Sequence, residues 1–178
     1  MAPRYRSMRG NRNLMRGLLD LIGYINSIYP TKSLRLLEIG AYAGESTSIF
    51  CQHFESVVTI DPHAAFDGTF ANGAEVYQAF CFRMKPHTNY TLIKKTSDDA
   101  FAELSDQQFD VVYIDGNHDY EYVKRDILNY QTLVKPKGFL TGHDYGNAWV
   151  GVKKAVDECY GAPHVRFKDS SWLIRKDI

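Results

Sequence analysis

Apolar positions along this chain follow two rhythms that alternate from start to finish. From 13 to 29, Leu14, Leu18, Leu21, Ile22, Ile25 and Ile28 recur at helical spacing, which predicts an amphipathic helix ended by Pro30. The run 34–39 then packs leucines without clean polar alternation, the mark of a strand buried on both faces. A helix is predicted from Glu45 to about Phe54, and a second strand over 57–60 closes at Asp61-Pro62. Residues 63–73 are turn-rich, 74–84 helical, and 91–93 form a short third strand. Ser97, Asp98 and Asp99 supply short polar oxygens to cap a helix reaching Leu104. The run 109–114 is a fourth strand, stopped by Asp115-Gly116. Val123, Ile127, Tyr130 and Val134 share a face and predict a helix over 120–134, stopped by Pro136-Lys137-Gly138. A fifth strand follows over 139–142, and Trp149, Val152, Val156 and Cys159 mark a last helix. Val165 and Phe167, then Trp172 and Ile174, alternate around a polar turn and predict a hairpin.

Strand–helix alternation ending in a hairpin predicts an α/β fold: a doubly wound, seven-stranded, mostly parallel sheet with an antiparallel C-terminal hairpin. No repeat or linker divides the 178 residues, so 1–178 is expected to be one domain, with 1–12 a basic, flexible tail and 13–30 its N-terminal helix. Arg4, Arg6, Arg9, Arg12 and Arg16 crowd that start, yet the formal net charge of the chain is zero. A neutral chain offers no electrostatic case for nucleic acid as a partner. No apolar run approaches bilayer-spanning length and no signal-peptide core follows the basic start, so neither a membrane nor export is expected. Cys51, Cys81 and Cys159 are odd in number and widely spaced. They read as buried thiols of a reducing compartment, which points to the cytoplasm.

In sheets of this kind ligands lie beyond the carboxyl ends of the strands. The expected ends here are Gly40, Asp61, Ser97-Asp98, Asp115 and His143-Asp144, and four of the five carry an acid. Asp61 stands twenty-one positions after Gly40, about the offset at which an acid meets the ribose of a nucleoside bound at the first loop. That loop holds Gly40 and Gly44 with Tyr42 between, which is not the glycine spacing that lets a backbone approach a pyrophosphate. A nucleoside without phosphates suits it better than NAD or FAD.

The stretch Glu38-Ile39-Gly40-Ala41-Tyr42-Ala43-Gly44-Glu45-Ser46 resembles the first motif of class I S-adenosylmethionine-dependent methyltransferases, most closely the catechol O-methyltransferase-like enzymes. Tyr113-Ile114-Asp115-Gly116-Asn117-His118-Asp119-Tyr120 and Lys137 to Tyr145 resemble their small-molecule O-methyltransferase relatives, and the similarity spans about 34–145. The resemblance implies S-adenosyl-L-methionine as cofactor, with Gly40, Tyr42 and Ser46 at its methionine end and Asp61 on the ribose hydroxyls. It places Pro62 on the adenine and Ser97 with Asp98 at the adenine edge. Glu38, Gly44 and Asp115 complete the cofactor set. In the metal-dependent relatives the acids in the places of Asp115 and Asp144 bind a divalent cation, usually Mg2+, and the residue in the place of His118 is the general base.

The chain departs from that pattern in two places. Tyr145 follows Asp144 where catechol-type enzymes have Asn, and His143 precedes it where some sugar-directed relatives have a second acid. A nitrogen from His143 would suit manganese, iron or zinc better than magnesium; alternatively His143 is a second base or a hydrogen-bonded strand-end residue. The expected activity is O-methylation of a small hydroxylated acceptor, a metabolite or sugar. Its rivals are a metal-independent O- or N-methyltransferase and a non-catalytic cofactor-binding module. No inserted cap covers the acceptor side, so that site is open, or completed by a second copy of the chain or by the N-terminal helix. Trp149, Trp172 and the segment 66–82 are either part of its frame or core.

Overall fold

A computed structural model describes residues 12–64 and 73–177, with side chains of the first helix described from Met15 onward. The expected basic tail and most of the turn-rich stretch after His63 lie outside the described residues. Among these, six α-helices and seven strands alternate as α1 (Arg12–Asn26), β1 (Arg35–Ile39), α2 (Glu45–His53), β2 (Ser56–Ile60), α3 (Gly73–Met84), β3 (Tyr90–Ile93), α4 (Ser97–Leu104), β4 (Phe109–Ile114), α5 (Tyr120–Tyr130), β5 (Val134–Gly142), α6 (Val150–Tyr160), β6 (Val165–Arg166) and β7 (Trp172–Arg175). None of these helices is long and apolar enough to cross a membrane.

All strands join one sheet in the order β3-β2-β1-β4-β5-β7-β6. Strands β1 to β5 pair in parallel, and β7 inserts antiparallel between β5 and β6. The two faces are filled by different helices. Leu37 and Ile39 pack with Ala100, Val123, Ile127, Val152 and Val156 of α4, α5 and α6. Leu36 packs on the other side with Leu18, Leu21, Ile25, Phe50, Phe80 and Met84 of α1, α2 and α3. A strand covered on both faces needs apolar side chains at successive positions, which is why β1 shows no alternation. The strand order reverses between β1 and β4, and a crevice opens at the carboxyl ends of such a pair.

Several expectations are corrected. The first helix ends at Asn26, before Pro30, which instead precedes a 3-10 turn over Thr31–Ser33. The helix predicted over 120–134 ends at Tyr130, a 3-10 turn occupies Gln131–Leu133, and Val134 opens β5 opposite Phe109. Pro136-Lys137-Gly138 does not stop an element but bulges within the strand: the register shifts between Phe109 and Val111, and Lys137 takes φ 64°. Helix α4 is capped by Thr96, whose side chain accepts from the Asp99 N–H, so Ser97 and Asp98 lie inside the first turn. The three thiols were expected to be buried, but only Cys51 is; Cys159 is half-buried and Cys81 exposed, and all are free.

Gly142, the last residue of β5, sets how closely the strand ends approach. A Cβ there would lie 2.5 Å from the Ile114 carbonyl oxygen and 2.6 Å from the Trp172 indole. Gly142→Ala is expected to lower stability by about 2 kcal/mol, the penalty of overpacking a filled site, measured by urea denaturation. An unchanged midpoint would show that this contact does not set the spacing.

Candidate active site

The ends of β1, β2, β4 and β5 converge on one edge and form two facing lips. On the first, Gly40 takes φ 96°, and a Cβ there would meet the Asp115 carbonyl oxygen at 2.1 Å. Only glycine meets both demands. Tyr42 follows at φ 46°, an uncommon conformation for a side chain of its size. Its N–H donates to Asp61 Oδ2 at 2.7 Å, and the His63 N–H donates to Asp61 Oδ1 at 2.7 Å. Each carboxylate oxygen has two lone pairs, so both retain acceptor capacity for a vicinal diol, and the Asp61 side chain is 17% exposed. Gly44, at φ 75°, is the N-cap of α2, and the Arg83 guanidinium donates to the Ala43 carbonyl. Pro62 is half-buried beside Asp61.

Glu38 and Ser46 lie beneath the first lip. Glu38 is fully buried, and Ser46 Oγ donates to its Oε1. Thr47 Oγ1 and Thr59 Oγ1 donate to Oε2 at 2.5 and 2.7 Å. The carboxyl therefore ties β1, β2 and the first turn of α2 together beneath the loop, and both residues shape the lip from inside. Burial drives the Glu38 pKa up to about 7, against the three hydroxyl donors that favour the charged form. At the far end of this lip Ser97 is half-buried, and its carbonyl accepts from Tyr130 Oη at 2.6 Å. Asp98 is exposed and paired with Arg125 at 2.7 Å.

The second lip gathers Asp115, His118, His143 and Asp144. Asp115 N–H donates to the Ile39 carbonyl and His143 N–H to that of Ile114, which anchors both strand ends. The Trp172 indole N–H donates to the His143 carbonyl at 3.1 Å. Asp144 takes φ 62°, another left-handed non-glycine residue at the site. His118 Nε2 lies 2.7 Å from Asp144 Oδ2, off the axis of a good hydrogen bond, and 3.9 Å from Asp115 Oδ1. His143 Nδ1 stands 3.1 Å from Asp144 Oδ1 and 3.8 Å from Asp115 Oδ1. Burial opposes a charge on His118, but the two carboxylates outweigh it and raise its pKa to about 9. Burial likewise opposes the charge on Asp144, yet contacts with His118 and His143 hold its carboxyl well below the usual range. With both carboxylates bare, His118 is an imidazolium at neutral pH and not a base.

Among the described residues, Asp115, His118 and Asp144 can each offer one ligand atom within 4.8 Å of the others, a spacing that fits one small cation. His143 flanks this group, with its Nε2 3.6 Å from the buried Asp169. Trp172 is core, whereas Trp149 is 41% exposed and stacks on His118 at 4.2 Å. Two participants went unnoticed in the sequence. His63 was placed only in a turn-rich stretch, although it directly follows the strand-end pair Asp61-Pro62. Asp169 lay in a polar hairpin turn that carried no signal of the site.

Residues 37–145 match a protein family described as a methyltransferase domain. A curated relative, the uncharacterised protein y4gI of Sinorhizobium fredii, is 23% identical over 124 residues, covering 66% of this chain and 14% of that protein. The chain thus spans a small part of that relative's length. The N-methyltransferase NodS from Bradyrhizobium japonicum WM9, in complex with S-adenosyl-L-homocysteine, is similar at TM-score 0.64 and 16% identity, over 93% of this chain and 87% of that one. CalS11, a TDP-rhamnose 3'-O-methyltransferase of calicheamicin biosynthesis, is similar at TM-score 0.63 and 16% identity, over 93% and 80%. At such identity the likeness is one of fold.

The raised Glu38 pKa makes a signed prediction. The folded state holds this proton more tightly than the unfolded chain, so stability from this group is present below the ordinary carboxyl value of 4.5 and is lost as pH rises to about 7. The difference in unfolding free energy between wild type and Glu38→Gln is expected to shift by about 3 kcal/mol across that window. Urea denaturation at several pH values reads it, and a pH-independent difference would contradict the assignment.

Proposed function

The chain belongs to the methyltransferase-domain family, and we propose that it transfers a methyl group from S-adenosylmethionine to a hydroxyl of a small metabolite or sugar, with a divalent cation at Asp115, His118 and Asp144. One observation carries the reading: the Gly40 loop and the Asp115 loop touch backbone to backbone, so a nucleoside on one lip ends beside the acids of the other. The first lip suits a cofactor without phosphates, since it offers a carboxylate for a diol and no pyrophosphate-reading glycine pattern. When bound, the cofactor supplies an electrophilic methyl group and the cation a Lewis acid for the acceptor oxygen.

The protein's own part is mostly positioning, which dominates a single in-line transfer. Asp61 fixes the ribose and the Gly40–Gly44 loop the amino-acid end. Asp115 and Asp144 supply the negative charge that holds a cation, and His118 completes the group. As a ligand His118 gives its lone pair to the cation and is not the base; without a cation the two carboxylates hold a proton on it. Trp149, exposed beside His118, lies on the side where an acceptor would enter. The reading takes 1–178 as one catalytic domain acting in the cytoplasm on a small molecule, without nucleic acid or membrane. A metal-independent transfer is the second reading, favoured by the close His118–Asp144 pair, which already neutralises one acid.

Calorimetry with S-adenosylhomocysteine is expected to show binding that Asp61→Ala weakens by about thirtyfold or more, the worth of charge-assisted hydrogen bonds to a diol. Full binding by that variant would remove Asp61 from the ribose. Mn2+ is expected to raise the melting temperature of the wild type but not of Asp144→Ala. Methyl transfer from labelled cofactor to a panel of hydroxylated compounds should stop with chelator. Activity indifferent to chelator selects the metal-independent reading.

A further inference from the structure

Two left-handed, non-glycine residues meet across the ends of β1 and β2: Tyr42 at φ 46° and His63 at φ 48°. The Tyr42 peptide is gripped on both sides. Its N–H is taken by Asp61, and its carbonyl oxygen lies 2.8 Å from His63 Nε2. A carbonyl only accepts, so Nε2 carries the hydrogen. The His63 backbone N–H returns to the other oxygen of Asp61, closing a ring of three contacts among Tyr42, Asp61 and His63.

His63 has little room to move. Its side chain is fully buried, with the imidazole 5.1 Å from the Tyr77 ring and 5.2 Å from that of Phe80. Helix α3 begins directly against its backbone: a Cβ on Gly73 would lie 2.4 Å from the His63 carbonyl oxygen. A bulky residue keeps left-handed backbone only where its surroundings over-determine it, and such positions cluster at ligand clamps. Here the restraint comes from His63 on one side and the ribose acid on the other.

We propose that His63 is a positioning residue for the cofactor loop, holding the Tyr42 peptide so that residues 40–44 are set for the amino-acid end of the sulfonium cofactor. It touches neither ligand nor reacting atoms and acts through Tyr42. The inference rests on reading this loop as the cofactor site.

The test separates the two ends of the ligand. His63→Phe keeps ring volume between Tyr77 and Phe80 but removes the donor, and His63→Gln keeps an N–H donor; His63→Leu is the second donor-free variant should the first fail to fold. Calorimetry is run with S-adenosylhomocysteine and with methylthioadenosine, which has the nucleoside and sulfur without the amino acid. The donor-free variant is expected to lose about fivefold in affinity for S-adenosylhomocysteine, the worth of one hydrogen bond, and to stay within twofold for methylthioadenosine. His63→Gln is expected to recover most of that loss. Equal losses for both ligands, undiminished binding, or a Gln variant no better than the donor-free one overturns the proposal. A wild type that binds neither ligand defeats the cofactor reading itself.

Discussion

The site depends on the approach of two strand ends. Where Gly40 leaves β1 and Asp115 leaves β4, the backbones lie so close that a single added carbon would sit 2.1 Å from a carbonyl oxygen. Parallel pairing of β1 with β4 at the reversal of the sheet creates this junction, and the side chains of both strands are committed to the two cores. The loops above it inherit the spacing of the strands. One lip therefore stands at a fixed distance from the other, which a transfer between two bound molecules requires.

Holding that junction needs polar groups inside the fold. Glu38, in the middle of β1, collects hydroxyls from Ser46, Thr47 and Thr59. A buried carboxyl is tolerated because its acceptors are filled, and the same burial favours its neutral form. The network joins β1, β2 and α2 at the base of the loop, while Asp61 and His63 hold it from above. Left-handed backbone at Tyr42, His63 and Asp144 marks where this scaffold forces a conformation that the residues alone would not choose.

Much of this was legible from spacing. The two-face burial of β1 follows from its unbroken leucines, and the strand ends follow from apolar runs that stop at Gly or Asp. That Asp61, Asp115 and Asp144 share one edge follows from the parallel order. The misread portions have physical causes. Pro136-Lys137-Gly138 carries the composition of a stop, but a bulge lets it sit in an extended strand. Val134 keeps helical spacing with Tyr130, yet the same side chain pairs in β5 opposite Phe109. The hydroxyls around Glu38 come from α2 and β2, so their meeting leaves no mark in one stretch of sequence. His63 has no periodicity to betray it, since its partner is a main-chain carbonyl.

The two lips are built from different materials. The first works through backbone geometry and buried anchors, so its shape is set by conformation: glycines at 40 and 44, a left-handed peptide at 42, and the Asp61 carboxylate that accepts from the N–H groups of Tyr42 and His63. The second works through side chains that repel or attract one another directly. Its two carboxylates face the rings of His118 and His143, and His118 holds its proton as long as it is their counter-charge. Substitutions on the first lip should act on how well the loop is held, with the ligand unchanged. Substitutions on the second redistribute charge among four coupled groups, so a replacement there also shifts the charge balance of its neighbours. That coupling is why the charge of this lip follows from Asp115, His118, His143 and Asp144 taken together, and from no residue among them alone.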